Sequence, residues 1–439
     1  MKPFKMCKKI AALTLGCKVN AYDTKAMLEI FSGRGYEIVD FGEVADVYLV
    51  NTCTVTSLSD KKSRQMLRRA RKRSPQAVVV AAGCYAQVSP EAILAMDEVD
   101  LVVGTKDRLQ IVDIVEQYNH ELGQASLVED IMTERRFEPL TVAKQENRTR
   151  AFLKIQEGCD QYCSYCIIPY ARGHIRSRSL DAVETEAQHL AKSRYKEIVL
   201  AGIHIASYGK DLGNTDLLAA ISRVHEVEGL RRIRMSSIEP GIVTPEFVRD
   251  ISRLPKICPH FHLSLQSGCD RTLSRMNRKY TTTQYRVAAK LLREAIPNIA
   301  LTTDIIVGFP GETDDDFNRS YQFVEEVGFA RIHVFPYSPK EKTLAASFED
   351  QIPVAIKNVR AAKMLALGEK LSREFLERYI GKELEVLYET EPLSGVYEGY
   401  SENYITVRTE SKNHLINEIR RVRAAHRVGE YLFAEGEEI

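Results

Sequence analysis

The sequence predicts an α/β protein of three domains: an N-terminal parallel βα sheet, a central open (βα)6 barrel and a small C-terminal β-barrel. Strand-like and helical stretches alternate over the first third of the chain and again from residue 151, and only short strands follow residue 380. A chain of 439 residues is also too long for one compact core. We expect the sheet domain over residues 1–120, a linker over 121–144, the central barrel over 145–375 and the C-terminal barrel over 376–439.

Three apolar runs in the first third of the chain are each followed closely by a cysteine. Helical stretches separate them, and this order predicts a parallel sheet with right-handed crossovers. The cysteines then emerge at the carboxyl edge of the sheet, where open α/β sheets bind ligands. Three thiolates there could hold an iron–sulfur cluster with one open iron, whereas the alternative is that small apolar cysteines merely pack near strand ends. The predicted strands are 10–15, 46–52 and 77–82, the helices 23–33 and 59–73, and the cysteines Cys17, Cys53 and Cys84.

Six strand-like segments in the central part of the chain predict an open barrel. Six βα repeats are two short of a closed eight-stranded barrel, and active sites of such barrels lie at the carboxyl ends of the strands. The predicted strands are 152–156, 197–201, 232–236, 260–265, 301–307 and 331–336, and the helices include 181–192, 283–294 and 314–327.

Three further cysteines follow the first barrel strand with the spacing Cys-x3-Cys-x2-Cys. They can hold three corners of a cubane iron–sulfur cluster and leave the fourth iron without a protein ligand. Ferredoxin-type carriers ligate every iron with thiolate, so an open iron indicates that another molecule binds there. Zinc sites instead favour paired Cys-x2-Cys units with two further ligands elsewhere. The cysteines are Cys159, Cys163 and Cys166.

The residues around all six cysteines resemble the motifs of the methylthiotransferase family of radical S-adenosylmethionine (SAM) enzymes. Residues 14–20, 51–56, 83–87, 158–173 and 176–178 carry the resemblance, in the order of the family and over nearly the whole chain. It implies two [4Fe-4S] clusters with three cysteine ligands each: a radical cluster that cleaves SAM and an auxiliary cluster that supplies sulfur. The chain departs from the family at Ala21, which is usually polar, and at residues 340–343, where a Gly-Thr turn is common.

Six residues are candidates for binding SAM. Tyr165 occupies the aromatic position before the third cysteine of the radical SAM signature. The others lie where predicted barrel strands end, and glycines there let the backbone approach a ligand closely. The alternatives are a simple turn at Gly308 and a hydrogen-bonded core carboxylate at Asp304. The candidates are Tyr165, Gly202, Glu239, Gln266, Asp304 and Gly308, and we assign no catalytic residue beyond the cluster ligands.

Two regions are candidates for binding RNA. The C-terminal segment around residues 395–404 resembles the TRAM module, an OB-like RNA-binding domain that would use aromatic stacking and a few cations. Because this segment contains more glutamates than basic residues, a packing or oligomerisation module is the alternative. The predicted helix 59–73 is densely basic, and its alternative is a solvated face. The candidates are Lys61, Lys62, Arg64, Arg68, Arg69, Tyr400, Tyr404, Arg420 and Arg421.

The resemblance implies a tRNA-modifying transferase that replaces an unactivated C–H bond by C–S–CH3. It is closest to the subgroup acting on N6-threonylcarbamoyladenosine, on residues 16–20 and 163–173, so the expected reaction is 2-methylthiolation of that base at position 37 of tRNA. Alternative substrates are isopentenyladenosine in tRNA and a protein, either a ribosomal aspartate or a glycyl-radical partner. A non-catalytic iron–sulfur RNA-binding protein is the alternative from another class. The expected partners are the anticodon loop of tRNA and an electron donor such as flavodoxin or ferredoxin.

Composition and charge favour a cytoplasmic protein. A formal net charge of +1 provides no global field for RNA or membranes, so any basic docking surface must be local. No apolar run approaches the ~20 residues of a membrane span, and the basic N-terminus precedes too short an apolar run for a signal peptide. Nine cysteines in such a chain indicate metal or redox use in a reducing compartment. We interpret Cys258 and Cys269 as ordinary thiols beside a core strand and Cys7 as an exposed thiol.

Overall fold

A computed structural model describes residues 7–142 and 149–436 of the chain. The predicted start of the central domain at residue 145, most of the basic N-terminal segment and the last three residues lie outside the described residues. The strands are β1 (Lys9–Thr14), β2 (Glu37–Val39), β3 (Val47–Thr52), β4 (Val78–Gly83), β5 (Leu101–Val103), β6 (Ala125–Ser126), β7 (Arg150–Glu157), β8 (Arg176–Ser177), β9 (Glu197–Gly202), β10 (Arg232–Met235), β11 (His260–His262), β12 (Ala300–Val307), β13 (Arg331–Pro336), β14 (Glu383–Leu393), β15 (Val396–Ser401), β16 (Thr406–Glu410), β17 (Ile419–Val428) and β18 (Tyr431–Gly436). The α-helices are α1 (Lys18–Gly33), α2 (Ser57–Arg73), α3 (Cys84–Val88), α4 (Pro90–Leu94), α5 (Ile111–Gln117), α6 (Ile168–Arg172), α7 (Leu180–Lys192), α8 (Leu217–His225), α9 (Pro245–Ile251), α10 (Asp270–Arg275), α11 (Thr282–Ala295), α12 (Asp314–Val327) and α13 (Val354–Glu377).

The N-terminal domain is a six-stranded parallel sheet in the order β2-β1-β3-β4-β5-β6. Every residue of the central strand β3 is buried, as expected of a parallel sheet covered on both faces. The three strands predicted before the cysteines are confirmed within one residue as β1, β3 and β4. Strands β2, β5 and β6 have only two or three residues, too few for a periodic signal, and the sequence does not predict them.

Two segments of this domain differ from the sequence prediction. Helix α1 begins at Lys18 rather than at residue 23, so that Cys17 is its N-cap residue. Residues 121–142, predicted as part of a linker, pack on the domain instead: β6 pairs with β5, and the Leu140 carbonyl accepts a hydrogen bond from the Tyr22 hydroxyl at 2.8 Å. The segment therefore extends the sheet and braces α1.

The central domain is the predicted open barrel. Six parallel strands contribute, in the order β7, β9, β10, β11, β12 and β13, and short β8 pairs antiparallel with β7. Strand β11 is shorter than predicted, because residues 263–266 continue only as isolated bridges, Ile238 to Leu263 and Gln266 to Ile305. A large apolar core lies between the strands and the surrounding helices. The residues that face the barrel lumen and the loops that follow the strands lie outside this core, and they are available to form a functional site.

The C-terminal domain is a closed five-stranded barrel in the order β14-β15-β16-β18-β17, which confirms the predicted small β-barrel. It packs on the central barrel through buried Arg232 and Arg234, whose guanidinium groups donate to the carbonyls of Glu385 (2.6 Å) and Glu402 (3.0 Å). One of the short C-terminal strands that the sequence predicts spans residues 404–408, but in the structure it begins at Thr406. The reason is Tyr404, whose φ of +69° places it in a turn.

The remaining cysteines lie as predicted, with Cys258 and Cys269 buried and Cys7 exposed. Within residues 7–142 and 149–436, every helix is too short or too polar to cross a bilayer.

Candidate functional site

Cys159, Cys163 and Cys166, the radical triad, lie in the loop between β7 and α6 at the carboxyl end of the first barrel strand. The Cys159 amide donates to the Gly173 carbonyl at 3.0 Å, and the Cys166 amide donates to the Cys163 carbonyl at 2.9 Å. Burial, with Cys163 nearby, raises the pKa of Cys159 to about 12. Burial and the other two thiols raise the pKa of Cys166 further. The three thiols therefore share one small space, and a bound metal would reverse these shifts by favouring thiolate.

Arg278 joins the radical triad to a carboxylate. Its guanidinium group donates to Cys163 Sγ at 3.2 Å and to Glu239 Oε1 at 2.7 Å. His204 Nε2 lies 3.3 Å from Glu239 Oε2. Although burial raises the pKa of Glu239, hydrogen bonds from His204 and Arg278 outweigh burial and hold that pKa below its ordinary value. Glu239, a predicted SAM contact, is therefore an ionised carboxylate fixed beside the cysteine loop and suited to an ammonium group.

The two predicted SAM glycines are each closely packed by a neighbouring side chain. A Cβ atom at Gly202 would lie 2.9 Å from Gln156 Oε1. Gly308 has a φ of +67°, and a Cβ atom there would lie 2.4 Å from Lys357 Cγ. Packing within the protein thus accounts for both glycines, and a role for either in binding SAM stays a prediction.

Gln266 and Tyr165 lie on loops of the same barrel. Gln266 has a φ of +67°, a backbone conformation that residues with a side chain disfavour. Its backbone N–H donates to the backbone carbonyl of Asp304 at 2.9 Å. The Tyr165 ring packs against Phe309 with the ring centroids 6.4 Å apart. Both residues are half-buried, and their contacts with SAM remain predictions.

Asp304 belongs to a polar group on three neighbouring parallel strands. His262 Nε2 lies 3.2 Å from Asp304 Oδ2, and His262 Nδ1 lies 3.1 Å from Thr302 Oγ1. Ligand atoms of His262, Asp304 and His333 all lie within 4.8 Å of one another. Burial lowers the pKa of His333. Two imidazoles and a carboxylate at this spacing can move a proton or hold a divalent ion.

Cys17, Cys53 and Cys84, the auxiliary triad, converge at the carboxyl edge of the N-terminal sheet. A Cβ atom at Gly16 would lie 2.8 Å from Cys53 Sγ, so the Cys17 turn lies directly against Cys53. Burial raises the pKa of Cys84 to about 11, and the neighbouring Cys17 and Cys53 raise it as well. The structure therefore brings together three thiols from three consecutive βα units, as the sequence predicts.

Each triad presents three cysteine thiols, the donor type that holds iron–sulfur clusters. Structural zinc sites usually bind their ion through four protein ligands, commonly from paired Cys-x2-Cys units. The residues of the radical triad therefore fit a [4Fe-4S] cluster that leaves one iron open, and the auxiliary triad offers the same three-thiol donor set.

Arg172 connects the auxiliary triad to the central barrel. This fully buried arginine, in α6 of the barrel, donates from Nε to Cys84 Sγ at 3.2 Å. It also donates to Asp23 Oδ2 of α1 at 2.8 Å and to the carboxylate of Glu157 in β7. A single guanidinium group thus contacts a cysteine of one domain and carboxylates of both domains.

Asp23 and Glu157 are the anions of a larger buried network. Lys154 Nζ lies 2.7 Å from Asp23 and 2.5 Å from Glu157, and Arg108 lies 3.0 Å from Glu157. Burial alone would raise the pKa of both carboxyl groups, but Arg108, Lys154 and Arg172 lower both below their ordinary values. The network therefore consists of charged groups that are all paired, and it fixes how the two cysteine-bearing domains dock.

Comparison with known proteins identifies the family. The model of the uncharacterized protein family UPF0004 matches residues 9–104, and that of the radical SAM superfamily matches residues 153–324. Threonylcarbamoyladenosine tRNA methylthiotransferase MtaB of Bacillus subtilis is 44% identical, over 94% of this chain and 93% of its own length. The MtaB protein of Aquifex aeolicus is 39% identical, over 92% and 97%. This chain belongs to the methylthiotransferase family of radical SAM enzymes.

Other similarities agree with this family. The tRNA-2-methylthio-N(6)-dimethylallyladenosine synthase of Dictyoglomus thermophilum is 35% identical, over 93% of this chain and 94% of its own length. The radical SAM methyltransferase TsrM from Kitasatospora setae has a TM-score of 0.56 at 15% identity, over 76% of this chain and 75% of that chain. The similarity to TsrM, at 15% identity, confirms the fold alone. A methylthiotransferase of this family is a transferase that uses SAM and a [4Fe-4S] cluster.

Sequence reasoning missed two arginines of this methylthiotransferase. Arg172 and Arg278 each donate to a cysteine of one triad. Arg172 lies within the motif that identified the family, but nothing local in the sequence marks an arginine as buried. Arg278 lies far along the chain from the cysteine it contacts, so only the folded chain reveals the pair.

The departure from the family turn has a structural role. Lys340, which is buried, donates to Thr54 Oγ1 at 2.9 Å and pairs with Asp60 at the start of α2. Lys342 donates to the Val88 carbonyl at 2.7 Å. Residues 340–343 of the methylthiotransferase thus bind its barrel to the N-terminal domain.

The predicted RNA-binding residues fall into two groups. On α2, Arg64 donates to the Tyr85 hydroxyl at 2.7 Å and Arg68 lies 3.5 Å from Glu98. Tyr400 and Tyr404 stack on each other with ring centroids 4.9 Å apart and are half-buried against the central barrel. Those four are engaged within the protein, and their RNA contacts stay predictions. The exposed candidates are Lys61, Lys62, Arg68, Arg69, Arg420 and Arg421.

Proposed function

We propose that this enzyme inserts sulfur and a methyl group at C2 of N6-threonylcarbamoyladenosine at position 37 of tRNA. The observation that carries the proposal is the pair of three-cysteine triads, which are docked through Arg172 and offer the donor type that iron–sulfur clusters use. The relatives named for threonylcarbamoyladenosine favour this substrate, since those of Bacillus subtilis and Aquifex aeolicus are 44% and 39% identical. The relative named for dimethylallyladenosine is 35% identical.

The two triads have separate roles in this proposal. Cys159, Cys163 and Cys166 would hold the radical cluster, and Cys17, Cys53 and Cys84 would hold an auxiliary [4Fe-4S] cluster. When bound, the clusters and SAM supply the radical and sulfur chemistry that converts C–H into C–S–CH3. Radical chemistry is needed because the adenine C2–H is neither acidic enough for a base nor displaceable by a nucleophile.

The protein residues position the reactants and hold charge. Arg278 donates a hydrogen bond to Cys163 Sγ and orients Glu239, whose carboxylate can accept hydrogen bonds from the ammonium group of SAM. Arg172 stabilises the Cys84 thiolate. The buried network around Asp23 fixes the distance between the triads, as the alignment of reacting groups requires.

The partners and compartment follow from the same proposal. The base would be splayed from the anticodon loop, since unstacked loop adenosines are the usual targets of RNA-binding sites. Two reducible clusters require an electron donor such as flavodoxin or ferredoxin. Oxygen-sensitive clusters and a tRNA substrate favour the cytoplasm.

The test is nucleoside analysis of tRNA treated with the purified enzyme. The enzyme, reconstituted anaerobically with iron and sulfide, would be incubated with SAM, dithionite and tRNA carrying either threonylcarbamoyladenosine or isopentenyladenosine. We expect mass spectrometry of the digested RNA to show the 2-methylthio derivative of threonylcarbamoyladenosine. Methylthiolation of isopentenyladenosine alone would refute the substrate assignment, and methylthiolation of protein alone would refute an RNA substrate.

Neutralising the exposed basic face of α2 is expected to weaken tRNA binding. The variant carries Lys61→Gln, Lys62→Gln and Arg69→Gln. We expect KM for tRNA to rise at least about 10-fold, because each lost phosphate contact removes counterion release. The slope of log K against log salt should fall by about 2. Initial rates at varied tRNA concentration measure KM, and filter binding at several salt concentrations measures the slope.

A matched control places Gln at three exposed cations of the central barrel, Lys192, Lys210 and Arg253. These residues belong to the central domain and not to α2, and we expect tRNA affinity to change little. If the two triple variants lose affinity equally, a general charge effect explains the loss and α2 is not the docking face.

A further inference from the structure

Tyr404 of the C-terminal barrel lies among cations and aromatic rings of the central barrel. Its ring centroid is 4.7 Å from that of His260, and the guanidinium carbons of Arg234 and Arg150 lie 4.5 and 5.2 Å from it. Tyr404 and His333 line one cavity. These groups therefore form a polar floor beneath the barrel lumen.

The arginines of this floor are paired with carboxylates. Arg234 donates to Glu197 at 2.7 Å, and Arg150 donates to Glu389 at 3.0 Å. Their charges are balanced within the protein, although they retain hydrogen-bond donors. An incoming anion would need a further cation.

Lys18 is that cation. Among residues 7–142 and 149–436, no side chain forms a hydrogen bond or ion pair with its ammonium group, and the residue is exposed. Its charge nevertheless reaches the floor: burial raises the pKa of Tyr404, but Arg150, Lys18 and Arg234 outweigh burial and lower it. The pKa of His260 and that of His333 are lowered mainly by burial, and the charge of Lys18 lowers both further. Lys18 belongs to the N-terminal domain, and the residues that its charge affects belong to the central and C-terminal domains. We therefore place its exposed side chain in an open chamber between the three domains.

Lys18 is also the residue that follows Cys17, a member of the auxiliary triad. An anion held by Lys18 therefore lies close to the place where sulfur would be supplied. In adenine, C2 and the N6 substituent are on the same edge of the ring. A base with C2 at the auxiliary triad can therefore place its N6 substituent on the same side as Lys18, the neighbour of Cys17 in sequence.

We propose that Lys18 binds the carboxylate of the N6-threonylcarbamoyl group and selects this substrate. The proposal rests on the proposed function, because it assumes that substrate. Arg150 and the Tyr404 hydroxyl are further donors for the same carboxylate. An isopentenyl group carries no charge, so it would displace water from the ammonium group without offering it a partner, which disfavours binding.

The test compares two RNA substrates on the same enzyme preparations. Anticodon stem-loops carry threonylcarbamoyladenosine either as the free acid or as its neutral methyl ester. Lys18→Met is compared with wild type, with charge-retaining Lys18→Arg, and with Lys192→Met, a change on an exposed face of α7. The readouts are kcat/KM for 2-methylthiolation, 5′-deoxyadenosine formation and iron per chain.

We expect Lys18→Met to lower kcat/KM for the acid by about 10- to 100-fold, mainly through KM, and to change that for the ester by less than about 3-fold. Lys18→Arg should keep the preference for the acid, and Lys192→Met should behave as wild type. Because both substrates are assayed on one preparation, any loss of cluster lowers both rates and cancels in their ratio.

Equal losses on acid and ester, or no loss on either, would overturn the role of Lys18 while leaving the proposed function intact. Wild-type enzyme that modifies isopentenyladenosine RNA and neither form of threonylcarbamoyladenosine would overturn the proposed function and this inference together.

Discussion

Replacing Cys17 by alanine will abolish methylthio transfer while SAM cleavage continues. The turn that carries Cys17 lies against Cys53 in the triad of the N-terminal sheet, whereas the proposed function assigns SAM cleavage to the triad after β7. If the N-terminal triad holds the proposed auxiliary cluster, the substitution removes one of its three ligands, and product formation should fall more than about 100-fold. Mass analysis of the RNA and chromatography of 5′-deoxyadenosine, from one reaction, measure both activities.

Two controls show whether the effect is specific. Cys163→Ala, in the radical triad, should abolish both activities. Cys7→Ala removes an exposed thiol outside both triads and should leave both near wild type. Retention of methylthio transfer by Cys17→Ala would contradict a sulfur-supplying role for the N-terminal triad.

Replacing Arg172 by alanine is expected to destabilise the enzyme strongly. The substitution removes a buried guanidinium group and leaves Asp23 and Glu157 with fewer cations in an environment that excludes water. Breaking a buried ion pair in this way typically lowers the free energy of unfolding by about 3–5 kcal/mol. It also removes the donor to Cys84 Sγ, so auxiliary iron should be lost first. Thermal unfolding and iron content per chain measure the two effects.

The pH dependence distinguishes lost charge pairing from lost packing. Arg172 helps to hold the pKa of Asp23 and Glu157 below their ordinary values. A depressed pKa in the folded state adds stability at neutral pH that is lost as the pH falls through the acidic range. The gap in unfolding temperature between wild type and Arg172→Ala should therefore narrow on acidification. Arg249→Ala, at an exposed arginine beside Asp250, should show little change at any pH.

The sequence predicts the elements whose signal is local. The apolar strands before Cys17, Cys53 and Cys84 are found within one residue, because buried parallel strands are short continuous apolar runs. Barrel strand β9 contains such a run, whereas β10 (Arg-Ile-Arg-Met) and β11 (His-Phe-His) place basic or imidazole side chains between apolar ones. Tyr404 shows where this logic fails: its residue type favours a strand, but its contact with Arg150 and His260 places it in a left-handed turn.

The residues of the candidate site also fall into those that a local sequence pattern predicts and those that only the fold reveals. Cysteine spacing marks both triads, since a cluster loop needs its ligands close in sequence or at equivalent strand ends. Arg172 and Arg278 depend on burial and on contacts between distant segments, which no local pattern encodes. Lys340 illustrates a further limit: as a departure from the family turn it predicts a changed loop, and only the fold reveals its contact with Asp60.

The most direct test of the two-cluster site is the iron content of the reconstituted enzyme. Iron and sulfide would be measured anaerobically, with Mössbauer spectra, for wild type and for a variant with Cys17, Cys53 and Cys84 all replaced by alanine. Two cubane clusters predict about eight irons per chain in wild type and about four in the variant. About four irons in both proteins would mean a single cluster, and would contradict sulfur transfer from the N-terminal triad.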